Sequence, residues 1–349
     1  MCASQITNIA LVGIGSIGKR HHMAIEQIDN VNLAGIVDLS KHAKIYCDDK
    51  KIPLYENINN LKIDHNIDGV IISTPTILHH ENSIAALKLG LDVLIEKPIS
   101  ATVNEAKEID KIAKDNNCKV LVGHQRRFYP LVLETKKIIS DKKIGKVIGL
   151  SGVWGLRKDK DYFEPEWRKK VSAGPIITNL IHDIDYLRFI FGEIHSVSSF
   201  SSNMINNFEK EDVVSANMQF KSGLIGNFLI TDVGTSPWSW ETGIGENIHL
   251  PSYQVNNLKI IGTEGSLEFP NLRLWEYKNK NNSNNWKDEI IQTTIDTPDI
   301  DPYISQINHF KDVINRKVEP ITGAKDAEQT LKVALSILES ANNNKIVVI

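Results

Sequence analysis

Ile9-Ala10-Leu11-Val12-Gly13-Ile14-Gly15-Ser16-Ile17-Gly18 is the stretch that decides the reading of this chain. A short apolar run leads directly into G-x-G-x-x-G and then into an amphipathic segment from Ile17 to Ile28, the pattern of strand, tight turn and helix. In that context each glycine has a task. Gly13 makes the turn. Gly15 lets backbone N–H groups, with those of Ser16 and Ile17 at the helix start, approach a pyrophosphate, and Gly18 lets the helix close on the strand. The next strand-like run, Asn32 to Val37, ends at Asp38, where a carboxylate accepts hydrogen bonds from the adenosine ribose hydroxyls. A carboxylate there repels a 2′-phosphate, and Leu39-Ser40 offers no guanidinium in its place, although Lys41 stands close. NAD is therefore expected in preference to NADP.

Outward from this motif the first third alternates β-branched runs with amphipathic segments. Gly69 to Ile72, Asp92 to Ile95 and Lys119 to Val122 read as further strands, with helical patterns at Thr76 to Leu89 and Asn104 to Asn116. That is the rhythm of a doubly wound parallel sheet. Beyond Gly123 helices become sparse and strand-like runs follow one another directly, as in Val197 to Phe200, Val213 to Phe220 and Leu224 to Thr231. Leu258 to Phe269 reads as a hairpin turning at Gly262 to Gly265, and the Lys/Asn tract Asn279 to Asn285 as a solvated loop tip. Helical patterns at Pro302 to Arg316 and Ala324 to Ala341 close the chain. The expected division is a Rossmann domain over 1–123 and an α+β domain over 124–349, with the C-terminal helices free to pack back on the first.

A chain of 349 residues suits two cores rather than one. The net charge of -3, with no long basic run, argues against nucleic acid as a partner. No apolar run reaches the length of a membrane span and the first residues lack a secretory pattern, so a cytoplasmic protein is expected. Cys2, Cys47 and Cys118 are scattered, with no paired or metal-ligand spacing; reduced thiols and no structural metal follow.

The chemistry is sought where open α/β sheets bind ligands, at the carboxyl ends of the strands. Asp92 to Ile95 runs into Glu96-Lys97-Pro98, which puts an ammonium there. A partly desolvated Lys97 can hold a substrate hydroxyl or help take its proton. Gly13 to Gly18, Thr74-Pro75 with His79, Ala85 to Gly90 ahead of Val93 to Pro98, Val122 to Arg127, Trp167-Arg168 and Gly174 to Asp185 together resemble the Gfo/Idh/MocA oxidoreductases. The resemblance spans essentially the whole chain and implies a Rossmann domain joined to a domain with a large mixed, mostly antiparallel sheet. It also implies a cofactor site that includes Thr74, Pro75, His79, Glu96 and Lys97, with Lys97 catalytic.

A second catalytic motif is implied in Gly174 to Asp185, where the family usually has Asp and, four residues on, His. Here His182 takes the His position, but Thr178 stands where the Asp is usual. On a regular helix Thr178 and His182 share a face, Asn179 lies about 100° round, and Asp185 follows His182 by a turn. A hydroxyl carries no charge to stabilise an imidazolium, so His182 acts without a carboxylate partner or Lys97 takes more of the proton transfer. Arg126, Trp154, Arg157, Tyr162, Trp167, Arg168, Asn179 and Trp238 are further substrate-contact candidates, since aromatic faces suit sugar C–H surfaces and Arg suits a carboxylate.

The function these readings favour is NAD-dependent oxidation of a hydroxyl on a small polyhydroxylated substrate: a sugar, sugar acid, cyclitol or dihydrodiol. The rivals are a glycosidase that uses bound NAD for transient oxidation and a non-catalytic NAD-binding regulator. A homodimer or homotetramer built through the mixed sheet is expected.

Overall fold

The computed structural model describes residues 6–247, 249–279 and 285–349. Cys2 and most of the loop tip expected after Asn279 lie outside them. The chain divides into two compact units, residues 1–128 with 300–331 and residues 129–299 with 332–349.

The first unit is a parallel sheet of six strands, β1 (Thr7–Val12), β2 (Val31–Val37), β3 (Leu54–Tyr55), β4 (Gly69–Ile72), β5 (Asp92–Glu96) and β6 (Val120–Gly123), in the order β3-β2-β1-β4-β5-β6. Its interior strands are apolar because both faces are covered: Ile9, Leu11, Ile36, Ile71, Leu94 and Leu121 are fully buried. The helices between strands are α1 (Ser16–Ile25), α2 (Lys41–Lys50), α3 (Ile58–Asp64), α4 (His79–Lys88) and α5 (Val103–Asp115). Thr102 and Glu105 start α5 with reciprocal side-chain to backbone bonds, a capping box that fixes where the helix begins.

The helix Pro302–Ile314 belongs to this unit. Its Ile307 and Phe310 complete the core, and its Phe310 and Ile314 pack so near Gly69 that a side chain on β4 there would overlap them. The division at 128/129 rather than 123/124 has an equally local cause. Arg127 bonds the Ile321 carbonyl at 3.0 Å and Asp326 at 2.6 Å, and Phe128 stacks on His309.

The second unit is built on a nine-stranded mixed sheet. Its strands are β7 (Val147–Gly155), β8 (Ile194–Ser202), β9 (Val213–Phe220), β10 (Ile225–Thr231), β11 (Leu258–Gly262), β12 (Gly265–Phe269), β13 (Arg273–Tyr277), β14 (Ile290–Thr294) and β15 (Val347–Val348), ordered β14-β13-β12-β11-β7-β10-β9-β8-β15. Among them β7 and β10 pair parallel and every other neighbour is antiparallel. Strict alternation marks β9 and β10: Val214, Ala216, Met218, Phe228 and Ile230 point inward. Two helices, α6 (Pro130–Ser140) and α7 (Ile181–Phe191), pack on each other, and α7 lays Tyr186 on Phe269 and Phe191 on Phe220. On the other face Ile225, Leu229 and Ile261 stay 61, 43 and 46% exposed.

Candidate active site

In the first unit the strand order reverses between β1 and β4, which opens a crevice at their carboxyl ends. The glycine turn sits there, and the space around its three glycines differs. Gly13 has φ +91°, and a Cβ on it would lie 2.9 Å from the Thr74 nitrogen. At Gly18 a Cβ would meet the Gly13 carbonyl oxygen at 2.2 Å, so helix and turn touch backbone to backbone. At Gly15, the residue that precedes α1, nothing lies within 4 Å. Gly15, Ser16 and Ile17 are exposed, so the first N–H groups of α1 face open space, as a bound pyrophosphate requires.

Asp38 closes the other side of this cradle. Its Oδ2 accepts from Ile14 N–H at 2.9 Å and its Oδ1 from Ser40 N–H at 2.8 Å. Burial pushes its carboxyl up, but these donors and the Ser40 hydroxyl prevail and hold it below the ordinary aspartate range. The carboxylate remains half-exposed, with lone pairs to offer ribose hydroxyls. The residues present fit a dinucleotide.

His79, also expected at the cofactor site, is held by two backbone carbonyls. It is 1% exposed, with Nδ1 at 2.7 Å from the Pro98 carbonyl and Nε2 at 2.8 Å from the Thr74 carbonyl. The ring thus ties the loop after β4 to the loop after β5. Burial pushes its pKa down although both carbonyls favour the charged ring. Pro75 is exposed and Thr74 half-buried at the same rim.

Glu96 is buried beside Lys97. Its Oε1 lies 2.7 Å from His21 Nε2, and its Oε2 accepts the Lys97 N–H at 3.2 Å. Burial raises its carboxyl, but His21 and Lys97 outweigh that and the net shift is down. The sequence reading missed His21. Its signal is the spacing Gly18, His21, His22, Ile25 on α1, which puts His21 on the buried face shared with Gly18. Lys97 itself is half-buried at the end of β5, and the Lys97–Pro98 peptide is cis.

In the second unit the expected regular helix through Thr178 and His182 is corrected. Residues Ile176–Leu180 form a π turn, and α7 begins only at Ile181. Hydrogen bonds there run i to i+5, so the segment opens with a wider turn than an α-helix. Thr178 is occupied locally: its hydroxyl lies 3.0 Å from the Gly174 carbonyl and 2.9 Å from Asn179 Oδ1. His182 is 8% exposed, and Asp183 and Asp185 are fully buried. Asp183 accepts the Tyr186 hydroxyl at 2.8 Å.

The π turn is bonded to a residue distant in sequence. Glu211 accepts the Ile176 N–H at 3.1 Å, and its carboxylate presses on Gly174, where a Cβ would lie 2.3 Å from an oxygen. Burial pushes the Glu211 carboxyl up.

The remaining candidates separate by position. Trp154 is fully buried, donating from Nε1 to Glu241 at 2.8 Å, and Arg126 is buried in the short turn after β6. Arg157, Trp167 and Trp238 are exposed. Tyr162 and Arg168 meet, with the guanidinium carbon 4.0 Å from the ring centroid. Among the described residues no group of His, Cys, Asp and Glu is placed to hold a metal, and no helix is long and apolar enough to cross a membrane.

Two family models match: "Oxidoreductase family, NAD-binding Rossmann fold" over residues 7–124 and "GFO/IDH/MocA C-terminal domain" over residues 132–268. Among curated relatives, scyllo-inositol 2-dehydrogenase (NAD(+)) of Bacillus subtilis is 29% identical over 285 residues, 80% of this chain and 77% of that one. A 2,7-anhydro-N-acetylneuraminate hydratase of Mediterraneibacter gnavus is 24% identical over 74% of this chain and 66% of its own length. The fold agrees with that of an NAD-binding protein from Listeria innocua at a TM-score of 0.82, 23% identity, 99% of this chain and 97% of that one. The two matched models, the glycine turn at the switch point and the mixed sheet that follows it lead to one assignment: this chain belongs to the GFO/IDH/MocA oxidoreductase family, with an NAD-binding Rossmann fold in its first unit.

Proposed function

We propose that the protein is an NAD-dependent dehydrogenase that oxidises a secondary hydroxyl of a small polyhydroxylated substrate. The observation that carries this is the cradle of Gly13, Gly15, Gly18 and Asp38 beside a strand that ends in Glu96-Lys97. It binds a dinucleotide and sets an ammonium at the same sheet edge. Bound NAD supplies the hydride acceptor for the carbon that bears the hydroxyl.

The chain's own residues do the rest. Gly15 and the α1 N-terminus hold the pyrophosphate, and Asp38 reads the ribose and disfavours a 2′-phosphate. Glu96, fixed by His21, anchors the backbone of Lys97. Lys97 in the first unit and His182 in the second are the two candidate carriers of the hydroxyl proton. Thr178 gives no carboxylate to this exchange, and its hydrogen bonds support a role in shaping the π turn.

Two finer readings accompany this one. The exposed Ile225, Leu229 and Ile261 on the open sheet face favour a homo-oligomer, a dimer or tetramer closed through that face. Cys47 and Cys118 are free buried thiols, which suits a reducing compartment such as the cytoplasm.

The test is a panel of sugars, sugar acids, cyclitols and dihydrodiols assayed for reduced nicotinamide. Formation of NADH with at least one class, lost in Lys97→Ala, supports the reading. Silence across the panel with NAD bound overturns it.

A further inference from the structure

Because β7 and β10 are parallel neighbours, their carboxyl ends lie side by side, Gly155 opposite Thr231. The chain beyond β7 continues beside the end of β10: Leu156 N–H donates to the Thr231 carbonyl at 3.2 Å and Lys158 N–H to the Asp232 carbonyl at 2.9 Å. The Lys158 side chain lies across two rings, its Nζ 5.0 Å from the Tyr162 centroid and 5.7 Å from that of Trp154. Arg168 lies on the same Tyr162 ring at 4.0 Å and reaches Trp167 at 5.2 Å. Two cations therefore share one aromatic residue.

Their charges are not met by carboxylates at contact. Neither Lys158 nor Arg168 forms an ion pair among the described residues. The nearby acids are engaged elsewhere: Asp232 Oδ2 takes the buried Lys210 ammonium at 2.7 Å, and Glu241 Oε2 takes the Trp154 indole N–H at 2.8 Å. Arg168 spends Nη1 on the Tyr162 carbonyl at 2.7 Å, but its Nε is buried with no hydrogen-bond partner. Lys158 uses none of its three N–H donors. Burial, and secondarily Arg168, push the Lys158 ammonium pKa down, against the pull of Glu241 and Asp232.

Holding two like charges in a half-buried aromatic niche costs free energy, and an anion placed between them relieves that cost. The edge is also linked to the π turn. Lys210 packs its ammonium over Phe163, next to Tyr162, and the adjoining Glu211 holds Ile176.

We propose that Lys158 and Arg168 form an anion clamp that reads a carboxylate or phosphate ester on the substrate, so that the substrates are acidic sugars or sugar phosphates rather than neutral polyols. This rests on the dehydrogenase reading for the identity of the ligand as substrate, but the clamp can be tested by binding alone.

The experiment is calorimetric titration of the NAD-saturated protein with D-gluconate, D-glucose 6-phosphate and D-glucose, for the parent, Lys158→Met, Lys158→Arg and Arg168→Gln. The parent is expected to bind one of the two anions at least roughly ten-fold tighter than D-glucose, the effect of one charge-assisted hydrogen bond. Gluconate preference identifies a carboxylate, glucose 6-phosphate preference a phosphate ester. Lys158→Met should erase the preference, and Lys158→Arg should restore most of it. Thermal unfolding of each variant shows that the fold is kept; if Arg168→Gln unfolds, the Lys158 pair decides. Anions bound no tighter than D-glucose, or an undiminished preference in Lys158→Met, overturns the clamp. Anion binding without NADH from any class of the sugar, sugar acid, cyclitol and dihydrodiol panel keeps the clamp and removes the dehydrogenase reading. NADH from D-glucose with no anion preference does the reverse.

Discussion

Asp38 Oδ2 accepts the backbone N–H of Ile14 at 2.9 Å, so the carboxylate at the end of β2 is fastened to the turn that opens α1. One group thereby fixes the glycine turn and, on the proposed reading, also meets the ribose. Asp38→Ser should weaken NAD binding by about ten-fold or more, since hydrogen bonds to a charged group are worth about 1.5–3 kcal/mol. The variant should bind NADP nearly as well as NAD, because the repulsion of the 2′-phosphate is gone. Fluorescence titration of both cofactors checks this; an unchanged NAD preference would mean that another residue sets it.

Two glycines only three positions apart should fail in different ways. At Gly18 a Cβ meets the Gly13 carbonyl oxygen at 2.2 Å, and both partners are backbone. Gly18→Ala should lower stability by about 1–3 kcal/mol, the usual cost of overpacking. At Gly15 the space is open, so Gly15→Ala should unfold with the parent yet lose NAD affinity through the methyl facing the pyrophosphate. Urea unfolding beside NAD titration separates them, and equal destabilisation of the two would contradict this account of the turn.

His21 and Glu96 give a pH-dependent test. The folded Glu96 carboxyl lies below the ordinary glutamate value of about 4.3. Ionised Glu96 therefore stabilises the fold fully above that value, and the contribution is lost as the pH falls through the folded value. His21→Ala leaves the buried carboxylate without its side-chain donor. It should cost about 3–5 kcal/mol, the usual penalty for breaking a buried pair, and move the acid limb of the stability curve to higher pH. Urea midpoints at a series of pH values read both effects. An unmoved acid limb would show that Glu96 does not depend on His21.

What could be read from the sequence was local. Strand, glycine turn and helix occupy consecutive residues from Ile9 to Ile25, so pattern alone placed them. The polar α2 and the two-residue β3 carry too little apolar periodicity to stand out, and β7 and α6 were passed over in the stretch after Gly123. The helix Pro302–Ile314 shows its apolar face, but not which core receives Ile307 and Phe310. The site failed to show through where long-range contacts decide it. The π turn is bonded at Ile176 by Glu211, which lies 35 residues away. Lys158, among neighbouring Lys160, Lys169 and Lys170, reads as one more solvated charge until the β7/β10 pairing buries it.

The two proposed proton carriers and Thr178 should differ in their response to replacement. His182→Ala and Lys97→Ala are each expected to lower turnover by about 10²- to 10⁴-fold, the range for a positioned acid or base. Thr178→Val, which removes a hydroxyl engaged with Gly174 and Asn179, should cost about 1 kcal/mol of stability and only a few-fold in turnover. Steady-state rates with urea unfolding check the set. A Thr178→Val protein of parent stability but much reduced turnover would place that hydroxyl on the substrate.

The decisive measurement is stoichiometry: product and reduced nicotinamide quantified together as the protein turns over its best substrate with excess NAD. The dehydrogenase account predicts one NADH for each molecule of ketone product, and none of either with Lys97→Ala. Product accumulating without net NADH would contradict it, because the hydride would then have been returned.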